Sequence, residues 1–264
     1  MTNRVMGLIP LVAMLSASML ATGCRGSRAA IEVKTELIVY AASSLVGAFA
    51  ELEIGFEEAN PGIDVRTTFA GSQVLRFQIE QGGPADIFAS ANQDHMEALV
   101  GGGQITNSLI FAGNDLVVIV PKANPAGIQT FADLGQATLI VLGSENVPVG
   151  AYTRQLLDNA EQHFGEPFKK HVEARTVSLE NNVRLVRTKV EMGEADAAIV
   201  YRSEAFSPRL TMIPIPEKLN ARVRYPIGVL ARSENPSQAR TFIDYLLSTE
   251  GVQTLSSHHF LAVQ

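Results

Sequence analysis

The feature that most restricts the fold is an alternation of short apolar runs with longer amphipathic stretches, punctuated by Gly and Pro. Residues 36–40 (ELIVY) have the length and composition of a strand. Residues 45–60 place Leu45, Phe49, Leu52 and Phe56 on one helical face, and Pro61-Gly62 stops that helix. Residues 63–69 read as a strand, 74–81 as a helix ended by Gly82-Gly83-Pro84, and 86–89 (DIFA) as a third strand. This βαβαβ order predicts a mainly parallel sheet covered by helices. The pattern then recurs. Residues 116–120 (LVVIV) predict a buried strand, followed by a strand at 138–142, helices at 151–164 and 183–192, and a strand at 197–201. Pro214 and Pro216 interrupt the chain before a strand at 225–231 and a helix at 237–248. The first unit is too small to hold a core alone, so the C-terminal segment is expected to return to it. The expected architecture is α/β with two lobes, 35–115 plus 226–264 and 116–225, joined by two crossover strands at a hinge. A cleft between them would receive the carboxyl ends of the strands, where ligands bind in open α/β sheets. No internal repeat or low-complexity tract is visible.

The first residues stand outside this pattern. Arg4 precedes an apolar stretch from Val5 to Leu20, then Leu20-Ala21-Thr22-Gly23-Cys24. A run this short, with small residues before a cleavage point, reads as an export signal over 1–23 rather than a membrane span. It resembles a bacterial lipoprotein signal, in which Cys24 would be lipidated and become the new N-terminus; the bland alternative is an ordinary signal with an incidental cysteine. Cys24 is the only cysteine of the 264 residues, so it has no intrachain disulfide to explain it. Residues 24–34 then read as a tether. The expected location is extracytoplasmic, with the membrane reached through the lipid anchor alone. Formal net charge is −6 and Trp is absent, which argues against nucleic acid as a partner.

Four predicted strand-to-helix junctions carry small or hydroxyl residues where free backbone N–H groups would face the cleft. They are Ala41-Ala42-Ser43-Ser44, Gly71-Ser72, Pro148-Val149-Gly150 and Asn181-Asn182-Val183. Taken singly, each is explained by helix capping. Two per lobe, converging on one cleft, instead describe a set of donors for an anion.

The segments AASSLVGAF (41–49), FAGSQVLRFQIEQGGPADIFASAN (69–92), NVPVGAY (146–152), NNVR (181–184) and AAIVYRSEA (197–205) carry a likeness. Through them the chain resembles the molybdate-binding proteins of bacterial ABC importers, a branch of the type II periplasmic solute-binding proteins. The likeness runs from about Glu36 to the C-terminus. The PADIFASA block marks the wider superfamily, and its combination with VPVGAY and IVYRSEA is narrower. The resemblance implies a monomeric receptor that holds a small oxyanion, molybdate or tungstate, and passes it to an ABC permease. It implies no cofactor and no metal cation. It assigns first-lobe hydroxyls to Ser44 and Ser72, second-lobe backbone donors to Val149 and Val183, and a phenol to Tyr201. Ser43, one step from Ser44, competes for that place. The family usually has Ala where Val149 stands, a change that a backbone donor tolerates.

The residues leave other readings open. The same cleft would suit another tetrahedral oxyanion such as sulfate. A lipid-anchored serine hydrolase would use Ser44 or Ser72 and needs a His within hydrogen-bond reach of one of them. A ligand-sensing regulator domain would need an attached DNA-binding segment. No GxSxG, GxxxxGK[ST] or HExxH motif occurs, so the expectation is a protein that is not an enzyme. Arg184 and Arg187 read as a solvated face or a distant positive field. His258-His259 is poorly arranged for a metal, and Asp86 and Asp196 show no paired-carboxylate logic.

Overall fold

The computed structural model describes residues 34–263. The signal over 1–23, Cys24 and nearly all of the tether lie outside the described residues.

The first sheet begins with β1 (Thr35–Ala42), whose Leu37, Val39 and Ala41 are fully buried on one face. A short 3-10 turn at Ser43–Leu45 leads into α1 (Val46–Ala59). This helix buries Phe49, Leu52 and Phe56, as their spacing predicts. Then come β2 (Ile63–Ala70), α2 (Ser72–Glu80), β3 (Ile87–Ala89), α3 (Gln93–Gly101) and β4 (Ile105–Asn114). Asp115 alone separates β4 from β5 (Leu116–Pro121), which opens the second sheet. That sheet continues with β6 (Ile140–Gly143), α4 (Pro148–Phe164), α5 (Glu166–Ala174), β7 (Thr176–Glu180), α6 (Val183–Glu191), β8 (Ala197–Tyr201) and β9 (Leu210–Pro214). The chain returns to the first sheet as β10 (Val223–Leu230) and ends in α7 (Pro236–Leu247) and α8 (Thr249–Ser257). Among the described residues no helix is long and apolar enough to cross a membrane.

The strand orders are β2-β1-β3-β10-β4 and β7-β6-β8-β5-β9. In the first, β1 is parallel to β2 and β3, while β10 runs antiparallel to β3 and β4. In the second, β6 is parallel to β7 and β8, while β5 runs antiparallel to β8 and β9. The sheets are therefore mixed, each with one reversed strand inserted next to an edge. The reversed strand is in both cases the one reached by crossing from the other lobe. The two lobes thus repeat one topology that no sequence repeat announces. Asp86 and Asp196 occupy matching places in it, each just ahead of a central strand. Asp86 accepts the Ile38 amide at 2.9 Å. Asp196 accepts the Thr138 and Leu139 amides, each at 2.9 Å, together with the Thr138 hydroxyl. They staple neighbouring segments of the sheets through these bonds.

Some local readings need correction. Helix α2 starts at Ser72 and α4 at Pro148, ahead of the expected starts at 74 and 151. Pro at the first helical position has no amide to lose and a preset φ. Strand β10 begins at Val223, ahead of 225. Helices α3, α5 and α8 and strands β4, β7 and β9 have no counterpart among the predicted elements. Strand β4 exposes most of its first half, and β7 is an edge strand that turns Val177 and Leu179 outward. The first half of β4 lacks the alternation by which a half-buried strand is recognised, and β7 (TVSLE) alternates over only five residues with its apolar ones outward.

Candidate functional site

The carboxyl ends of β1, β2, β6, β7 and β8 converge on one small cavity between the lobes. Ser43 and Ser44 follow β1, Gly71 and Ser72 follow β2, Val147 to Val149 follow β6, Asn182 and Val183 follow β7, and Tyr201 closes β8. Ala91, beyond β3, completes the wall. The cavity encloses about 200 Å³ including its mouth. Pockets that hold drug-sized ligands measure about 300–1,000 Å³, whereas the room left here for the centre of a water-sized solute is only about 10 Å³, so the cavity suits a solute of a few atoms. Ser44, Ser72, Val149, Val183 and Tyr201 all line it, with Ser43 beside Ser44. The expected lipid attachment site Cys24 lies outside the described residues.

Capping accounts for only part of these junctions. Asn182 does cap α6, its side chain accepting the Leu185 amide at 3.1 Å. Neither serine caps its helix. The Ser72 oxygen accepts the Ala91 amide at 3.0 Å, so its own proton is free to point elsewhere. Ser44 shares a 3.1 Å hydrogen bond with the hydroxyl of Tyr225. Tyr225 is fully buried, and burial raises its pKa, so it stays a neutral phenol and orients Ser44. Nothing in the sequence signals this partnership, because 181 residues separate the two.

The Tyr201 hydroxyl is buried and has no hydrogen-bond partner. Its pKa is raised by burial first, then by Tyr225, Tyr152 and Glu204, so it too remains a protonated donor. A buried, unpaired hydroxyl costs about 1–3 kcal/mol, which a ligand oxygen in the cavity would recover. The helix starts supply further donors. The Ala151 amide donates to Val147, which leaves Val149 and Gly150 in the first turn of α4 with no carbonyl to meet. Likewise Val183 precedes the first backbone bond of α6, from Val186 to Asn182. The α4 start is pressed onto β6. A Cβ on Gly150 would collide with the carbonyl oxygens of Ser144 and Gly143, and one on Gly143 would meet Val149 Cγ1 at 2.6 Å. Glycine at both positions brings the α4 amides to the cavity, a second requirement that the NVPVGAY segment does not announce.

Among the described residues no charged side chain lines the cavity. Arg187 lies outside it and bonds Glu191 at 3.0 Å and Glu204 at 3.4 Å. Glu204 is buried and its pKa is raised by that burial, against the pull of Arg184 and Arg187. Arg187 is therefore tied into an ion-pair network rather than standing on a solvated face. His258 bonds Glu51 at 2.9 Å and His259 stacks on Phe206, so neither has a histidine's usual freedom to ligate. Among the described residues no group of three or more His, Cys, Asp or Glu converges as a metal site. The hydroxyls of Ser44 and Ser72 meet Tyr225 and a backbone amide, and neither meets a His.

Two lobes of repeated topology closing on a neutral cavity lined with donors define a receptor for a small solute. The chain belongs to the bacterial extracellular solute-binding proteins, whose family model matches residues 37–261. It is 34% identical to the molybdate-binding protein ModA of Mycobacterium tuberculosis over 256 residues, 94% of each chain. It is 30% identical to the putative ABC transporter substrate-binding lipoprotein YvgL of Bacillus subtilis, over 95% of this chain and 96% of that protein. Its fold matches the periplasmic molybdate-binding protein of Azotobacter vinelandii with a TM-score of 0.76 at 18% identity, covering 86% of this chain and 100% of that one.

Proposed function

We propose that this protein captures molybdate, and tungstate equally, between its two lobes and delivers it to an ABC permease. The observation that carries the reading is the Tyr201 hydroxyl, buried, unpaired and facing a cavity without charge. Ser44, Ser72 and Tyr201 would donate through their hydroxyls, and Val149 and Val183 through their amides. Tyr225 would donate to Ser44, which would in turn donate a hydrogen bond from its own O–H to the anion. Hydrogen bonds to a charged group are worth roughly 1.5–3 kcal/mol each, so these five donors, with the backbone amides of Ser44 and Ser72 beside them, supply on the order of 10–15 kcal/mol. An association cost of at least ~4 kcal/mol leaves micromolar or tighter binding.

A site made only of donors selects fully ionised oxyanions. Monohydrogen phosphate carries an O–H that would find no acceptor there. Sulfate is fully ionised and would be rejected by its smaller size. The names of the relatives, two molybdate-binding proteins and a substrate-binding lipoprotein, support the ligand and the anchor. The full reading is a signal over 1–23, lipidation at Cys24, a tether to 34, and lobes 35–115 with 226–264 and 116–225. Isothermal titration of the purified chain with molybdate, tungstate, sulfate and phosphate tests the ligand. Strong heats with the first two are expected, and tight sulfate binding without molybdate heat would overturn the choice. Mass spectrometry of the mature N-terminus tests the anchor, which an unmodified Cys24 would exclude.

A further inference from the structure

Two side chains that do not line the cavity reach across the cleft. Gln73, in the first turn of α2, donates from Nε2 to the Asn181 carbonyl at 2.7 Å. His95, in α3, donates from Nε2 to the Asn146 carbonyl at 2.9 Å. Both donors belong to the first lobe and both acceptors to the second. Each acceptor sits at the foot of a helix whose start lines the cavity, Asn146 ahead of α4 and Asn181 ahead of α6. We propose that Gln73 and His95 form a latch that holds the lobes closed by gripping the two loops that carry Val149 and Val183. They would act as positioning residues, without touching the anion. The inference rests on the reading of the cavity as an oxyanion site that opens and closes.

The seam around the latch is tight and incompletely paired. A Cβ on Gly71 would lie 2.6 Å from the Asn181 carbonyl oxygen. Gly71 has φ −61° and ψ 139°, which any residue adopts, so alanine there strains no torsion but presses on both the Asn181 carbonyl and the Gln73 amide that reaches it, at 2.5–2.6 Å. Gln73 Oε1 and His95 Nδ1 are buried in the same region without hydrogen-bond partners, and Arg76 Nε has only the Glu80 carboxylate at 3.6 Å. Closure therefore draws on the anion as well as on the latch.

His95 also makes the latch sensitive to acid. Its Nε2 carries the donated proton, so Nδ1 is the site of protonation, and it is enclosed. Burial lowers the His95 pKa first. The Asn146 carbonyl opposes that, Arg76 of α2 adds to it, and Asp94 and Glu80 weakly oppose it. On the second-lobe side Glu145 faces Arg154 at 3.7 Å. Opening exposes the ring and restores an ordinary imidazole. The closed state thus binds fewer protons than the open one, so closure is favoured above about pH 6.5 and weakens as pH falls through it.

Stopped-flow tyrosine fluorescence with sodium molybdate at pH 8 and pH 6 tests this. At pH 8, Gln73→Ala and Gly71→Ala should each dissociate about three- to tenfold faster than wild type, the effect of one lost hydrogen bond. The His95 contribution should lower wild-type affinity from pH 8 to 6 by at most about fourfold, the extent to which an exposed imidazole protonates over that range. His95→Gln keeps an N–H donor without a titrating group, so it should bind as wild type at pH 8 and show a shallower pH dependence than wild type. His259, stacked on Phe206 across the same cleft, also has its pKa lowered, first by burial and then by Arg202 and His258, and His95→Gln isolates the share of His95. Wild-type dissociation rates in the Gln73→Ala and Gly71→Ala variants, or an unchanged pH slope in His95→Gln, overturn the latch alone. Failure of the wild-type protein to bind molybdate at pH 8 overturns the functional reading beneath it.

Discussion

Tyr201 separates what is good for the empty protein from what is good for the loaded one. Its hydroxyl is buried without a partner, so Tyr201→Phe should leave the empty protein as stable as wild type or up to about 3 kcal/mol more stable. The same substitution should weaken molybdate binding by about 1.5–3 kcal/mol. Urea denaturation without ligand and calorimetric titration would read the two effects separately, and loss of both stability and affinity would contradict the assignment. Hydroxyls and small residues at strand ends marked the junctions, while the choice of five residues within and beside them came from the family resemblance; all five line the cavity. Tyr225 was not legible. It sits in an apolar strand like any core tyrosine, and only the folded chain brings it to Ser44. The choice between Ser43 and Ser44 turned on one step of a tight turn, where both line the cavity but only Ser44 is bonded to Tyr225.

At the scale of elements, the helix starts are placed by close contact with the strands before them. Gly150→Ala would thrust a methyl group into the Ser144 and Gly143 carbonyls. It should destabilise the protein by about 1–3 kcal/mol and move the α4 amides off the cavity, so that affinity falls as well. Denaturant titration and binding heats would show the paired loss, and a stable variant with normal affinity would mean that α4 can shift freely. Asp196 makes a different prediction. Burial raises its pKa, but the Thr138 hydroxyl and the amides of Leu139 and Thr138 outweigh that and hold it below the ordinary carboxylate value. Its contribution is therefore complete above about pH 4 and is lost as pH falls through the lowered value. Asp196→Asn should be less stable than wild type at pH 7, and the gap should close in acid. Melting temperatures across that range would test it. Helices with a clear apolar stripe, such as α1, were readable before the structure. Edge elements such as β7 were not, because their outward side chains are apolar and their pairing partners are distant in sequence.

For the whole molecule, the two-lobed plan followed from the repeated alternation of strands and helices, but the reversed strands did not. Strands β5 and β10 read as ordinary apolar runs, and their direction is set by where the chain enters each sheet. A ligand that binds only the folded, closed form should stabilise it by about 2.7 kcal/mol at a concentration 100-fold above its dissociation constant. For a chain of this size that is a rise of roughly 5–10 °C in melting temperature. A scan with molybdate, with phosphate as the control, would show it, and equal shifts for both anions would argue against selectivity. The first crossing between lobes has a further consequence. Asp115 is the entire connection between β4 and β5. A link of one residue lets neighbouring peptide planes swivel but gives no slack for sliding, so the lobes share a fulcrum rather than a tether. Displacement then grows with distance from that fulcrum. The rim would sweep the widest arc, while Tyr225, bonded to Ser44 and in ring contact with Tyr201, would stay almost still and keep the back of the site assembled through every cycle of opening.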